Sequence, residues 1–268
     1  VGHRMGDADR GRLFRVAPPK TPYKTPKVDV STVDGAIAAL KSPNEATRYV
    51  AWTALQSMGD KAEPVLNQVF AGDANPRVRA RALWLLGKLE GKGPLTVAKA
   101  ISDTNPDIRI AGLRLARELR GKLDLTSVLL TLAKDPAPEV RRDCAIALNQ
   151  YSSARHAEIW TTLALQHDGR DRWYLEALGI GAYNNWDECI KAWHAAILSP
   201  NSQGDPLADQ ARRDIVWRSR AKETPSLLVN IIQSQAVSAA ECPRYLRAFD
   251  FLTGPEKEEA LVVLAFGN

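Results

Sequence analysis

The sequence predicts an all-α chain: an α-α superhelix of about seven helical hairpins plus a terminal helix, led by an extended N-terminal arm. Three observations carry that prediction. The segments "DANPRVRARALWLLGKL", "DTNPDIRIAGLRLAREL" and "DPAPEVRRDCAIALNQY" each read Asp, two residues, Pro, one residue, Val or Ile, then Arg. Their arginines, Arg79, Arg109 and Arg141, lie 30 and 32 residues apart, with Arg48 31 residues before the first and Arg172 31 after the last. After each arginine, apolar residues recur three and four apart (Ala82, Leu83, Leu86; Leu113, Ala116; Cys144, Ala145, Leu148), the spacing of one buried helical face. A hairpin that recurs at a fixed period and cannot bury its apolar face alone stacks on its neighbours.

Taken in order, residues 1–28 read as an extended, Pro-rich, basic arm. "RLFRV" alternates like a short strand without a sheet, which suggests the tail of an upstream domain, and the prolines after it favour a tether. Ser31 is a candidate N-cap for the first helix. Residues 29–198 hold repeats one to five and the first helix of six. Within them Pro76, Pro106 and Pro138 suit a first helical turn, where a missing N–H costs nothing, and Gly59 and Gly87 suit helix ends. A shorter helix precedes each arginine helix: "AEPVLNQVFAG", "PLTVAKAIS", "LTSVLLTLAK" and "HAEIWTTLALQ". Residues 199–208 form a loop insertion, from their Pro, Gly, Asn and Ser content. Residues 209–268 hold the remaining helices, and "GPEKEEALVVLAF" reads as a helix without its partner, so the expectation is an open-ended piece of a longer protein.

Charge narrows the function. The net charge is +5, but seven basic residues against two acidic ones in residues 1–28 account for all of it. The body is neutral, which opposes a nucleic-acid groove built on uncompensated cations. No apolar run approaches the roughly 18 residues of a membrane span. Cys144, Cys189 and Cys242 form no CxxC or CxxCH motif, so neither a zinc site nor covalent haem is expected, and buried free thiols are. Triad, phosphate-loop and HExxH patterns are missing from the sequence, and no catalytic residue, cofactor or metal is assigned to this chain.

Asp73, Asp103 and Asp135 each stand six residues before an arginine. This spacing resembles HEAT repeats, a resemblance that implies bonds between adjacent repeats and makes Arg48, Asp73, Arg79, Asp103, Arg109, Asp135 and Arg141 a structural ladder. Over nearly the whole chain, "GRLFRVAP", "ATRYVAWTAL", "RARALWLLGKLEG", "RDIVWRSRAKETPSLL" and above all "HDGRDRWYLEALGIG" resemble the HEAT-repeat segment of large secreted haem-binding proteins. Those proteins occur in planctomycetes, verrucomicrobia and relatives and are often described as membrane-bound-dehydrogenase-like. The resemblance implies a propeller dehydrogenase-like domain upstream, a c-type cytochrome domain downstream, and a periplasmic or extracellular location. It puts no redox chemistry on any residue here.

The densest polar stretch is "QHDGRDRWYLEALGIG". On a 31-residue period Arg172 takes the arginine place, Asp171 stands where Val78, Ile108 and Val140 stand, and Glu176 stands where Trp52, Leu83, Leu113 and Ala145 stand. An unpaired carboxylate on that face would be costly. Either Glu176 pairs with Arg213, Arg218 or Arg220 of repeat six, or His167, Asp168, Asp171, Arg172, Trp173 and Glu176 form a surface for a partner domain or a small polar ligand. Tyr183 and Trp186, in the turn "YNNW", are a second candidate contact. Trp52, Trp84, Trp160, Trp193 and Trp217 read as core. The function expected is a non-catalytic scaffold linking the propeller and cytochrome domains. The alternatives are a nucleic-acid-binding, DNA-glycosylase-like repeat protein and a phycobilin-lyase-like one.

Overall fold

A computed structural model describes residues 27–149, 151, 153–198 and 207–267. Among them fifteen α-helices follow in order: α1 (Val33–Leu40), α2 (Glu45–Met58), α3 (Glu63–Gly72), α4 (Pro76–Lys88), α5 (Gly93–Ile101), α6 (Pro106–Glu118), α7 (Leu125–Leu132), α8 (Pro138–Leu148), α9 (His156–Ala164), α10 (Arg172–Gly181), α11 (Trp186–Ile197), α12 (Gln210–Arg218), α13 (Thr224–Gln233), α14 (Cys242–Ala248) and α15 (Pro255–Phe266). They form seven successive pairs and a last helix. The second helices pack in a row, α2 on α4, then α6, α8, α10, α12 and α14, and α1 on α3 and α9 on α11 belong to a parallel row of first helices. This is an all-α solenoid. The "RLFRV" segment and most of the 199–208 loop lie outside the described residues, and no helix described is long and apolar enough to cross a membrane.

Local chemistry starts the helices. Asn44, Asn75, Asn105, Asp124, Asp171 and Asp209 each place a side-chain oxygen on an N–H of the first turn, and Pro76, Pro106 and Pro138 follow their caps directly. Helix α1 is capped by Thr32 rather than Ser31, whose hydroxyl and N–H both donate to Asp29. Gly59 ends α2 at φ 55°. Gly87 lies in the last turn of α4, as expected, but without a left-handed φ: it is buried, and a Cβ there would collide with Leu115 of α6. Its lack of a side chain sets how closely those two helices approach.

Helical spacing then delivers the apolar faces to one core that runs unbroken from Ala36 to Ala260. Trp160, Trp193 and Tyr245 are its largest fully buried side chains. Trp160 is tolerated there because its indole N–H donates to Leu178 O at 2.9 Å. Trp52, Trp84 and Trp217 are only partly buried and pack against the core from its edge.

An arginine seam runs across the hairpin corners. Arg48, Arg79, Arg109, Arg141 and Arg213 each stand four residues after an N-cap. Four of the five fold back so that Nη1 donates to two carbonyls of the preceding turn: Arg48 to Ser42 and Pro43, Arg109 to Asp103 and Thr104, Arg141 to Asp135 and Pro136, Arg213 to Leu207 and Ala208. Arg79 instead sends Nε to Phe70 O at 2.7 Å. These carbonyls lie just past the end of a helix and lack intrahelical partners. The outer face of the guanidinium meets the next repeat. Arg79 grips Asp103 through both Nη atoms, and Arg109 makes two 2.7 Å bonds to Asp135. Each aspartate also caps its own turn, Asp73 accepting from Asn75 N, Asp103 from Asn105 N and Asp135 from Ala137 N, all at 2.9 Å. Lys41 takes the arginine's part opposite Asp73, at 2.8 Å.

Burial pushes the Asp135 carboxyl up. The bonds from Arg109 and Ala137 N–H, with the charges of Arg109 and Arg141, outweigh it and hold the group below its ordinary value of 3.8. Arg109 is correspondingly raised, first through its bond to Asp135. A carboxyl with a depressed folded-state pKa contributes stability above its unfolded value, and that contribution is lost as the pH falls through the lower, folded value. Asp135→Ala is expected to cost about 2–4 kcal/mol at pH 7 by leaving Arg109 unmatched. It should also flatten the fall of Tm with pH below about 4, both read from circular-dichroism melts.

The three cysteines are free thiols. Burial pushes the Cys144 and Cys189 thiols up to about 12, whereas Cys242 is partly exposed at the start of α14. Thiolate is the nucleophile. Maleimide treatment of the native protein is therefore expected to label Cys242 alone, and all three thiols after denaturation, as counted by peptide mass spectrometry.

Candidate functional site

Repeat five departs from the others at its cap. Asp171 is the N-cap of α10, its Oδ1 accepting from Trp173 N at 2.8 Å. It therefore matches Asn75, Asn105 and Ala137, not Val78, Ile108 and Val140. The cap comes three residues later than a 31-residue period would place it, so the register expected for this repeat is corrected throughout. Leu175, not Arg172, occupies the arginine place. Leu178 falls with the buried Ala51, Ala82 and Cys144, and Gly179 falls with Trp52, Leu83, Leu113 and Ala145. The fifth seam arginine is Arg213, one repeat further on. Arg172 points away with 81 % of its side chain exposed.

A tyrosine replaces the aspartate where the seam crosses this repeat. The hydroxyl of Tyr174 donates to Leu163 O at 3.0 Å and receives Nε of Arg141 at 3.4 Å, with the guanidinium 5.6 Å from the ring centre. Burial raises the pKa of that phenol. Arg213 repeats the arrangement, its Nε donating to the Tyr245 hydroxyl at 3.1 Å. Beyond repeat four a phenol hydroxyl thus meets the seam arginine, alone at Arg141 and at Arg213 beside the Glu241 carboxylate, 3.9 Å away.

Glu176 has a partner. It accepts from Arg218 Nε of α12 at 2.9 Å, while Arg172 lies 4.0 Å away on the same helix. Room for Arg218 is made by Gly179, at which any Cβ would run into the guanidinium. Glu176 is one-third exposed, so the pair is a rim contact between repeats rather than a buried charge.

The expected surface residues separate into two places at opposite ends of α10, a ten-residue helix about 15 Å long. At its start, Asp168 is exposed and turned to Arg170 N at 3.0 Å, a bond that lowers its pKa. Asp171 reaches Arg142 at 3.4 Å, and Trp173 stands 68 % exposed with the Arg172 guanidinium 6.0 Å from its ring. His167 is not on that surface. It is buried, stacked on Tyr174 at 6.0 Å, and its Nε2 lies 3.9 Å from Asp214 Oδ2. At the far end, Tyr183 is exposed, while Trp186 is half-buried, edge-on to Trp160. They line a separate, open recess of about 870 Å³ with Arg220 and Phe251.

Asp214, Trp217 and Arg244 join the first place without having been singled out. Asp214 is buried and lies 2.8 Å from the Arg244 Nη2, a close charge contact without hydrogen-bond alignment. Arg244 also covers the Trp217 ring at 4.7 Å. The sequence held one signal: Asp214 stands three residues after Ala211 and three before Trp217, which puts a charged residue in an apolar row of the helix. Arg244 comes from another hairpin, and nothing local marks it.

With this geometry in view, the chain can be set beside known proteins. Residues 33–98 match the family model for HEAT repeats. The match spans α1 to α4 and most of α5. No curated protein matches the chain.

Two substitutions test the repeat-five contact. Glu176→Leu is expected to lower stability by about 1 kcal/mol, because a partly exposed pair contributes little. Gly179→Ala should cost more, since it displaces Arg218 and crowds the helix interface. Denaturant midpoints for the two variants check the order.

Proposed function

We propose that this chain is a non-catalytic repeat scaffold that holds other protein domains, and that α10 presents one of its contact surfaces. Trp173 carries this reading. A large aromatic side chain that the fold leaves 68 % exposed on a rigid helix, beside the unburied Arg172, has the composition of an interface anchor. The seam arginines and aspartates are committed to turn carbonyls, turn N–H groups and one another, an arrangement that supports stacking rather than chemistry. HEAT repeats suggest a scaffold or interaction domain.

The resemblance of "HDGRDRWYLEALGIG" supports a finer reading. In it the scaffold links a propeller dehydrogenase-like domain to a c-type cytochrome domain in an exported, periplasmic or extracellular protein. Calorimetric titration against propeller and cytochrome domains taken from the resembled family tests it. Binding to at least one is expected, with Trp173→Ala weakening it by about 2 kcal/mol, roughly 30-fold, at unchanged Tm. Silence toward both domains would remove the linking role.

A further inference from the structure

The start of α10 borders a recess of about 440 Å³ between repeats five, six and seven. Its volume falls in the range of about 300–1,000 Å³ usual for small-molecule sites, and far exceeds the roughly 30 Å³ share of one water. His167, Asp214 and Trp217 line it from within the fold, and Arg170, Arg172 and Arg244 from its more exposed side.

His167 is the group without a structural purpose. Its side chain is 2 % exposed, and among the described residues neither ring nitrogen has a hydrogen-bond partner. The nearest charged atom, Asp214 Oδ2 at 3.9 Å, is beyond hydrogen-bond reach. Buried polar groups are almost always satisfied, and an apolar ring would stack on Tyr174 equally well. In either tautomer the imidazole offers one N–H.

Among the residues that line the recess, three arginines outnumber the one carboxylate, Asp214. Asp214 stands between Arg244, 2.8 Å from its Oδ1, and His167, 3.9 Å from its Oδ2. Arg172 has Glu176 at 4.0 Å, but Arg218 holds that carboxylate at 2.9 Å. The other carboxylates nearby, Asp168 and Asp171, are turned to the backbone N–H groups of Arg170 and Trp173. A donor at the inner end and guanidinium forks at the mouth complement the oxygens of a small anion.

We propose that this recess binds a small oxyanion, a carboxylate or phosphate group, with His167 N–H as its inner donor and Arg170, Arg172 and Arg244 as its charged rim. The recess shares Arg172 with the proposed contact surface, but Trp173 lies outside its lining, so Trp173→Ala separates the two readings: it can abolish docking with anion binding intact.

The test titrates the chain with sodium phosphate and, separately, sodium citrate, against sodium chloride at matched ionic strength. Calorimetry reports binding, and the histidine ring resonances in heteronuclear NMR report its place, the His167 signal being assigned by its loss in His167→Phe. Saturable binding that moves the His167 resonances is expected for one or both anions, and which one identifies the head group. The Arg170→Gln/Arg172→Gln double variant, changed only at exposed positions, should keep its Tm and bind about tenfold more weakly. The proposal is overturned by any of three results: no saturation by either anion up to roughly 50 mM, the same His167 shifts with chloride, or undiminished affinity in the double variant. The double variant decides the matter even if His167→Phe does not fold.

Discussion

Everything in this fold depends on what happens to the carbonyls at each hairpin corner. Where a first helix ends and the chain turns into the second, the last C=O groups have no intrahelical donor, and one carbonyl of each corner is partly buried. An arginine four residues past the cap solves this because its fork has donors to spare. One nitrogen reaches back to two carbonyls of its own turn, and the others reach forward to the following repeat. A lysine, with a single point of charge, could not serve both directions at once. One side chain therefore closes a corner and sets the spacing between hairpins.

The seam also explains why the repeats are not interchangeable. From Arg79 to Asp135 the forward contact is guanidinium to carboxylate, charge against charge. At Arg141 and Arg213 it becomes guanidinium to phenol, as Tyr174 and Tyr245 replace aspartates. The tyrosine hydroxyl accepts a bond without adding a charge, and its ring brings apolar bulk into the junction. The chain changes interface chemistry where its period changes, and the unpartnered His167 sits against the first of those two tyrosines. Irregularity in the stack and unspent hydrogen-bonding capacity thus occur together.

Exposed and buried polar groups around α10 accordingly have different physical meanings. Asp171, Asp168 and Glu176 look reactive in a string of letters, yet each is absorbed by a cap, a turn or an inter-repeat ion pair. Trp173 is left outside because its cap-plus-two position faces away from both neighbouring hairpins. His167 is left inside because the stretch before the late cap carries it under Tyr174. A partner surface centred on Trp173 and a recess centred on His167 thus lie within a few residues of one another, with Arg172 at their shared border.

The amino-acid sequence determined by itself what depends on near neighbours: helix type, the proline-led first turns, the 31-residue period, and seven pairs with a last helix. Those follow from hydrogen bonds and apolar spacing within a turn or two. Extrapolating the period into repeat five failed, because three extra residues before Asp171 moved the cap, and only the position of a cap, not a count from the previous repeat, sets which face a residue takes. The tertiary structure alone decided which arginine continues the seam, that Gly87 and Gly179 are gaps for a neighbour's side chain, and that His167, Asp214 and Arg244 share one recess. Those three come from three different hairpins, and the distance between hairpins is fixed by packing across the stack, which no local pattern records.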